Sequence, residues 1–246
     1  MTALLRAASD QNWKEVKKLM LSGADPSVAD GQGLTALHYA AILGSMKLTQ
    51  TLIEHGPAGL ILREAPGGET SLYVACQRGH LEIAKALIKA GGEALLLKTP
   101  KNGCSCLHSA CYHGHLEIAK VLIEAGGEAL LLKTTKDGGS CLHIACQNGH
   151  LEVVKALVKA SGDAAARAAF LLMPDISNGC SCLHAASFFG HVTVVLFLLS
   201  LSCPGLVDLR DRSGRTALDY AVAAGHTAAA EAIRAASGRP APPRPS

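Results

Sequence analysis

Apolar and polar positions along this chain fall into a two-helix unit that recurs about every 35 residues. The clearest copy runs from Asn102 to Gly138 and reads NGCSCLHSACYHGHLEIAKVLIEAGGEALLLKTTKDG. A Gly turn opens it and the next Gly turn closes it. The stretch Ser105 to Gly114 predicts a short first helix, and His115 to Gly127 a second. Neither can bury its apolar side alone, whereas stacked copies can. Leu4, Leu37, Leu72, Leu107, Leu142, Leu183 and Leu218 hold one register position in seven copies, at spacings of 33, 35, 35, 35, 41 and 35. A repeat of that length predicts a solenoid or a related array.

The caps follow from the same pattern. Thr70, Ser105 and Ser140 precede the first helices of the three closest copies and can accept from the first free N–H groups. Gly79, Gly114 and Gly149 end those helices, where a left-handed residue is cheap. In the second helix Leu81, Ala84, Leu87 and Ile88 are expected to form the buried stripe. Glu82 with Lys85, and Glu117 with Lys120, are placed three apart on the wet side. The GGEALLLK links predict an extra turn that tucks Leu95–Leu97 and Leu130–Leu132 under the second helices. Pro57 predicts an irregular loop, and the longer link, Asp163 to Pro174 with Arg167 and Phe170, a loop on one face.

These units divide the chain into an N-terminal cap (1–30), internal repeats (31–65, 66–100, 101–135, 136–176, 177–211) and a C-terminal cap (212–237). A Pro-rich segment, 238–246, follows. The polar Trp13, Lys14, Lys17 and Lys18 suit the outer side of a terminal cap. The segment after Gly238 holds Arg239, Pro242 and Pro245 in an Arg-x-x-Pro-x-x-Pro order, which resembles a ligand of SH3 domains. Met1 and this Pro-rich end are read as the limits of the natural chain.

The residues at these positions resemble the ankyrin repeat family. TALHYA at Thr35, SCLHSA at Ser105, SCLHIA at Ser140, SCLHAA at Ser181 and TALDYA at Thr216 are similar to its T-P-L-H-x-A motif. G-H-L-E-[IV] at Gly79, Gly114 and Gly149 and the GAD at Gly23 add to the likeness. The resemblance implies an all-α, ankyrin-like solenoid of about seven helix-turn-helix repeats, joined by β-turn fingers and extended links. It implies a non-catalytic adaptor, inhibitor or targeting subunit that binds a protein partner. The family's Pro position is held here by Ala36, Ser71, Cys106, Cys141, Cys182 and Ala217.

Composition narrows the class. Aromatics are only 4% of the chain, which suits thin stacked helices better than a large globular core. A net charge of +3 is too small to point to nucleic acid. Nine cysteines are an odd number, and Met1 to Met20 has charged residues where a signal peptide has an apolar core, so reduced thiols in cytoplasm or nucleus are expected. The apolar run Val192 to Val207 is shorter than a membrane span and in register with the other second helices, so it is read as a buried outer helix.

Three kinds of chemistry bear on these residues. Cys104, Cys106, His108, Cys111, His113 and His115 are close in sequence, but all except Cys104 and His113 have a repeat position to explain them, and no metal or other cofactor is expected. Cys104 and Cys180 lie just before inner helices, where a thiol can be mildly activated; a tolerated surface thiol is the simpler reading. A cysteine-based redox- or metal-responsive protein is the alternative function. No Ser-His-Asp order, phosphate loop or dinucleotide turn is present, so an enzyme is not expected.

What remains is a surface. The resemblance implies binding at the turn tips and inner-helix ends, on the concave side. Carried over by position, these are Gln77, Arg78, Tyr112, His113, Gln147, Asn148, Phe188 and Phe189, with Lys101, Lys136, Arg212 and Arg215 at the tips. The basic tips favour an acidic segment on the partner. A monomer with no nucleic-acid or membrane partner is expected.

Overall fold

The computed structural model describes residues 1–238; the Pro-rich motif of Arg239, Pro242 and Pro245 lies outside them. The described residues form fifteen α-helices and one 3-10 helix, with no strand among them. The chain divides into two compact units, Met1–Leu130 and the part from Leu131 onward.

The first unit opens with α1 (Ala3–Ser9) and α2 (Trp13–Leu21), then α3 (Ala36–Leu43) and α4 (Met46–His55). It continues with α5 (Ser71–Arg78) and α6 (Leu81–Leu96), then α7 (Cys106–His113) and α8 (Leu116–Leu131). First helices stack on first helices, as α1 on α3, α3 on α5 and α5 on α7. Second helices stack outside them, α2 on α4 and α4 on α6. Each first helix starts at a small hydroxyl residue with extended backbone, such as Thr70 (φ −91°, ψ 165°) and Ser105 (φ −73°, ψ 168°).

The expected extra turn is present. Helix α6 runs past Gly92, whose backbone (φ 55°, ψ −155°) breaks the helix and restarts it. Only glycine takes that conformation without strain. The restarted turn buries Leu95 and Leu96, and Leu130 and Leu131 repeat this in α8. Leu132 departs from the expectation and is exposed. The buried stripe of α6 is Ile83, Ala84 and Leu87 rather than the set with Leu81 and Ile88, which are only partly covered. After Pro57 the chain is a 3-10 helix, Ala58–Leu62, that buries Leu60 and Ile61, where an irregular loop is expected.

The second unit holds α9 (Cys141–Gln147), α10 (Leu151–Ala160), α11 (Ala164–Leu172), α12 (Cys182–Phe188), α13 (Val192–Ser200), α14 (Ala217–Ala223) and α15 (Thr227–Ser237). Here α9, α12 and α14 form the inner stack, and α10, α13 and α15 the outer. The 163–174 link is a helix, not a loop. Asp163 caps it by accepting from Ala166 N–H at 2.9 Å, and its Ala-rich run buries Phe170 and Leu171. Helix α13 buries Val194, Val195 and Leu198 but leaves Leu196 about half exposed, so its register is as expected and its burial only partial. Among the described residues no helix is long and apolar enough to cross a membrane.

Candidate functional site

The turn tips are held from below by histidine. In the first unit the His38 ring accepts from Thr35 N–H at 3.2 Å through Nδ1, and its Nε2 donates to the Glu69 carbonyl of the next repeat at 3.1 Å. In the second unit His143 donates to Cys180 O at 2.7 Å and His184 to Arg215 O at 3.1 Å. One side chain thus closes its own helix and pins the following finger. Burial lowers the pKa of His38, His143 and His184, which keeps each ring neutral, as an accepting Nδ1 requires. Asp219 replaces this His in the last repeat and accepts from Thr216 N–H at 2.7 Å.

The helix ends are held by a second histidine set. His115 lies against Gly79 and donates Nε2–H to Gln77 O at 3.2 Å. His191 does the same to Gln147 O at 2.9 Å and His226 to Phe188 O at 3.0 Å. These bonds occupy backbone and leave side chains at the helix ends pointing outward.

Of the predicted surface residues in the first unit, Gln77, Arg78, Lys101, Tyr112 and His113 are exposed. Tyr112 meets the edge of His113 (centroids 4.9 Å), and His113 stacks on His115 (5.8 Å). His113 also donates Nδ1–H to Ser109 O at 2.9 Å, so the small aromatic cluster is fixed.

In the second unit Gln147, Lys136, Phe188, Phe189, Arg212 and Arg215 are exposed, while Asn148 is half-buried and donates to Ile144 O at 2.8 Å. Phe188 meets Phe189 edge-on at 5.0 Å and Tyr220 at 5.9 Å. Phe170 is buried in its own helix packing, and Phe188 and Phe189 stay 48% and 46% exposed, so they are not consumed by covering the long link.

Sequence reasoning missed a polar network beside these rings. Tyr220 OH donates to Asp211 Oδ2 at 2.8 Å, and Arg215 donates to the same oxygen through Nε at 3.0 Å. Arg215 also reaches the Tyr220 oxygen at 2.7 Å and lies over its ring, 4.5 Å from the centroid. Burial of Asp211 opposes its charge, but the hydrogen bonds from Arg215 and Tyr220 outweigh it and hold the carboxyl at about 2. The charge of Arg215 is therefore answered within the chain. The signal was the DxxGxTxLxY spacing shared by Asp30 and Tyr39, whose hydroxyl donates to Asp30 at 2.6 Å.

Cys180 donates to Tyr220 OH at 3.4 Å, and burial raises its pKa, the reverse of the mild activation that a place next to a helix start allows. Cys104 is half-buried in its turn, with its backbone N–H donated to Asn102 Oδ1 at 2.9 Å. Among the described residues no three His, Cys, Asp or Glu side chains converge as metal ligands.

A family model described as ankyrin repeats (3 copies) matches residues 4–96, 91–168 and 160–238. The crystal structure of the human ASB11 ankyrin repeat domain is similar at a TM-score of 0.76 and 21% sequence identity, covering 98% of this chain and 100% of that one. That likeness carries the fold, an all-helical ankyrin solenoid.

Proposed function

The chain belongs to the ankyrin repeat family, and from that premise we propose that it is a non-catalytic protein-binding module whose partner docks on the inner-helix ends and turn tips. Adaptor, inhibitor or targeting subunit are the roles such a module fills. One observation carries the choice of surface. Tyr112, Phe188 and Phe189 are 54%, 48% and 46% exposed at inner-helix ends, in a chain that buries most of its large apolar side chains. Rigid aromatic residues in the open are what binding hot spots are built from. The second helices instead carry exposed ion pairs, Glu82–Lys85 and Glu117–Lys120 in the first unit and Glu152–Lys155 in the second, at 2.8, 2.7 and 2.7 Å. Lys101, Lys136 and Arg212 leave the tips basic and favour an acidic segment on the partner.

The test is affinity capture from native lysate with the parent and two variants. Tyr112, Phe188 and Phe189 replaced together by Ala should lose the proteins that the parent retains. Glu82, Glu117 and Glu152 replaced together by Gln should retain them. Equal retention, or equal loss, would place the docking face elsewhere.

A further inference from the structure

The first outer helix, α2, departs from the others at its exposed positions. Helices α6, α8 and α10 pair opposite charges three apart on their wet side, as Glu82 with Lys85 at 2.8 Å. In α2 those two places hold Lys14 and Lys17, which are like charges. The place of Lys18 is taken by Ala86, Val121 and Ala156 in the same three helices. At Leu21 the exchange runs the other way. Its place carries Glu54, Lys89, Glu124 and Lys159 in the next four repeats, and here a leucine that is 73% exposed. A cap that needed only to be wetted would keep a charge at that place and pair its lysines.

Trp13 joins these residues to α4. Its ring is partly exposed, with Lys14 Nζ 5.7 Å from the centroid and Lys47 Nζ, from α4, at 5.9 Å. A helix turns by about 100° per residue, so Trp13, Lys17, Leu21 and Lys14 share an arc of about 100° on α2. Val16, the buried residue of this helix, lies outside that arc. Lys14, Lys18 and Lys47 are exposed, and Lys17 is half-buried. Against these four lysines the two helices hold two acids. Glu15 pairs with Lys18 at 3.5 Å, and Glu54 stands near the end of α4.

We propose that this face of α2 and α4 docks on an anionic lipid surface, with its lysines on the headgroup phosphates and carboxylates and Trp13 and Leu21 in the interfacial layer. The mixture of residues selects lipid. An exposed leucine and an indole set among lysines suit a boundary that is charged on one side and apolar on the other. Nucleic acid would answer the lysines and leave Leu21 without a partner. Each lysine held near such a surface strengthens binding about fivefold, and indole rings settle at headgroup depth. Contact of this kind lies on the membrane surface and requires no spanning helix. It uses none of the inner-helix ends or turn tips, so either surface can fail its test without the other.

Trp13 is the one tryptophan of the chain, so its fluorescence reports on this face alone. The full chain is titrated with vesicles of phosphatidylcholine and phosphatidylserine, and with vesicles of phosphatidylcholine alone, reading Trp13 emission and cosedimentation together. A blue shift and sedimentation are expected with the mixed vesicles and neither with phosphatidylcholine alone, and both should weaken as salt is raised. Lys14→Gln, Lys17→Gln and Lys47→Gln together should lower the partition about a hundredfold. Leu21→Gln should lower it about tenfold. Lys85→Gln, Lys120→Gln and Lys155→Gln together change the net charge equally and should leave the partition unaltered. None of these side chains belongs to the core, and unchanged helical circular dichroism shows that each variant folds. Equal loss from the two lysine triples would reduce the effect to net charge and overturn the proposal. So would no shift on either vesicle, an equal shift on both, or a shift that soluble polyglutamate or RNA produces and vesicles do not.

Discussion

His115 donates its Nε2–H to Gln77 O at 3.2 Å while its ring edge covers Gly79. The glycine is left-handed (φ 80°), and a Cβ there would sit 2.8 Å from His115 Cε1. Two costs therefore coincide in Gly79→Ala: the left-handed backbone, about 1–2 kcal/mol, and displacement of the ring from its carbonyl, about 1 kcal/mol. His115→Ala alone should cost about 1 kcal/mol. Because the double variant has no ring left to displace, its loss should fall short of the sum. Urea denaturation of the four proteins measures this. Strict additivity would mean that ring and glycine do not interact.

The buried histidines set a pH dependence. His38, His143 and His184 have folded pKa values below the ordinary 6.5, with burial as the main cause. The unfolded chain therefore binds more protons in the window below 6.5, and stability rises with pH there. Their contribution is complete above about 6.5 and is lost as pH falls through it toward the folded values. The urea midpoint should drop between pH 7.5 and pH 5.5. A midpoint that is flat or higher at pH 5.5 would show that the rings are not held neutral.

Asp211 works in the other direction. Its carboxyl is held at about 2 against an ordinary 3.8, so its contribution is present above 3.8 and lost as pH falls toward 2. Tyr220→Phe removes one of the donors and leaves Arg215 in place. The Asp211 midpoint should rise in that variant, and acid unfolding should begin at a higher pH. Carboxyl titration by NMR reads the midpoint directly, and an unchanged value would mean that Arg215 alone holds the charge.

Register, caps and the inner-helix ends were legible because they depend on local chemistry. Ser105 starts α7 and Gly114 ends it, whatever packs nearby. One cause of the misses is that spacing does not say what a neighbour covers. Leu81 and Ile83 lie two positions apart on α6, and only the repeats packed against it decide that Ile83 is the buried one. Helix α11 had a readable signal in Asp163 followed by AAARAAFLL, overlooked because insertions into repeats are usually loops. The Asp211–Arg215–Tyr220 network lies within one repeat, and its Asp and Tyr stand nine apart as Asp30 and Tyr39 do, so its signal was also in the sequence.

Cys141→Pro tests the first helical position. Cys141 is the first residue of α9, where a missing N–H costs no helical bond and a fixed φ near −65° suits the turn. Ser140 before it is extended (φ −82°, ψ 165°), the conformation that a following proline imposes. Proline should therefore stabilise by about 0.4–1 kcal/mol, chiefly by restricting the unfolded chain. Opposing this, Cys141 is fully buried, and cysteines at the same position donate to carbonyls, as Cys182 does to Leu171 O at 3.4 Å. A thiol is a weak donor, and the proline ring is apolar and of similar bulk, so the loss should be the smaller effect. The urea midpoint of Cys141→Pro should rise at unchanged slope. A lower midpoint would show that the buried thiol contributes more than the entropy of a free φ.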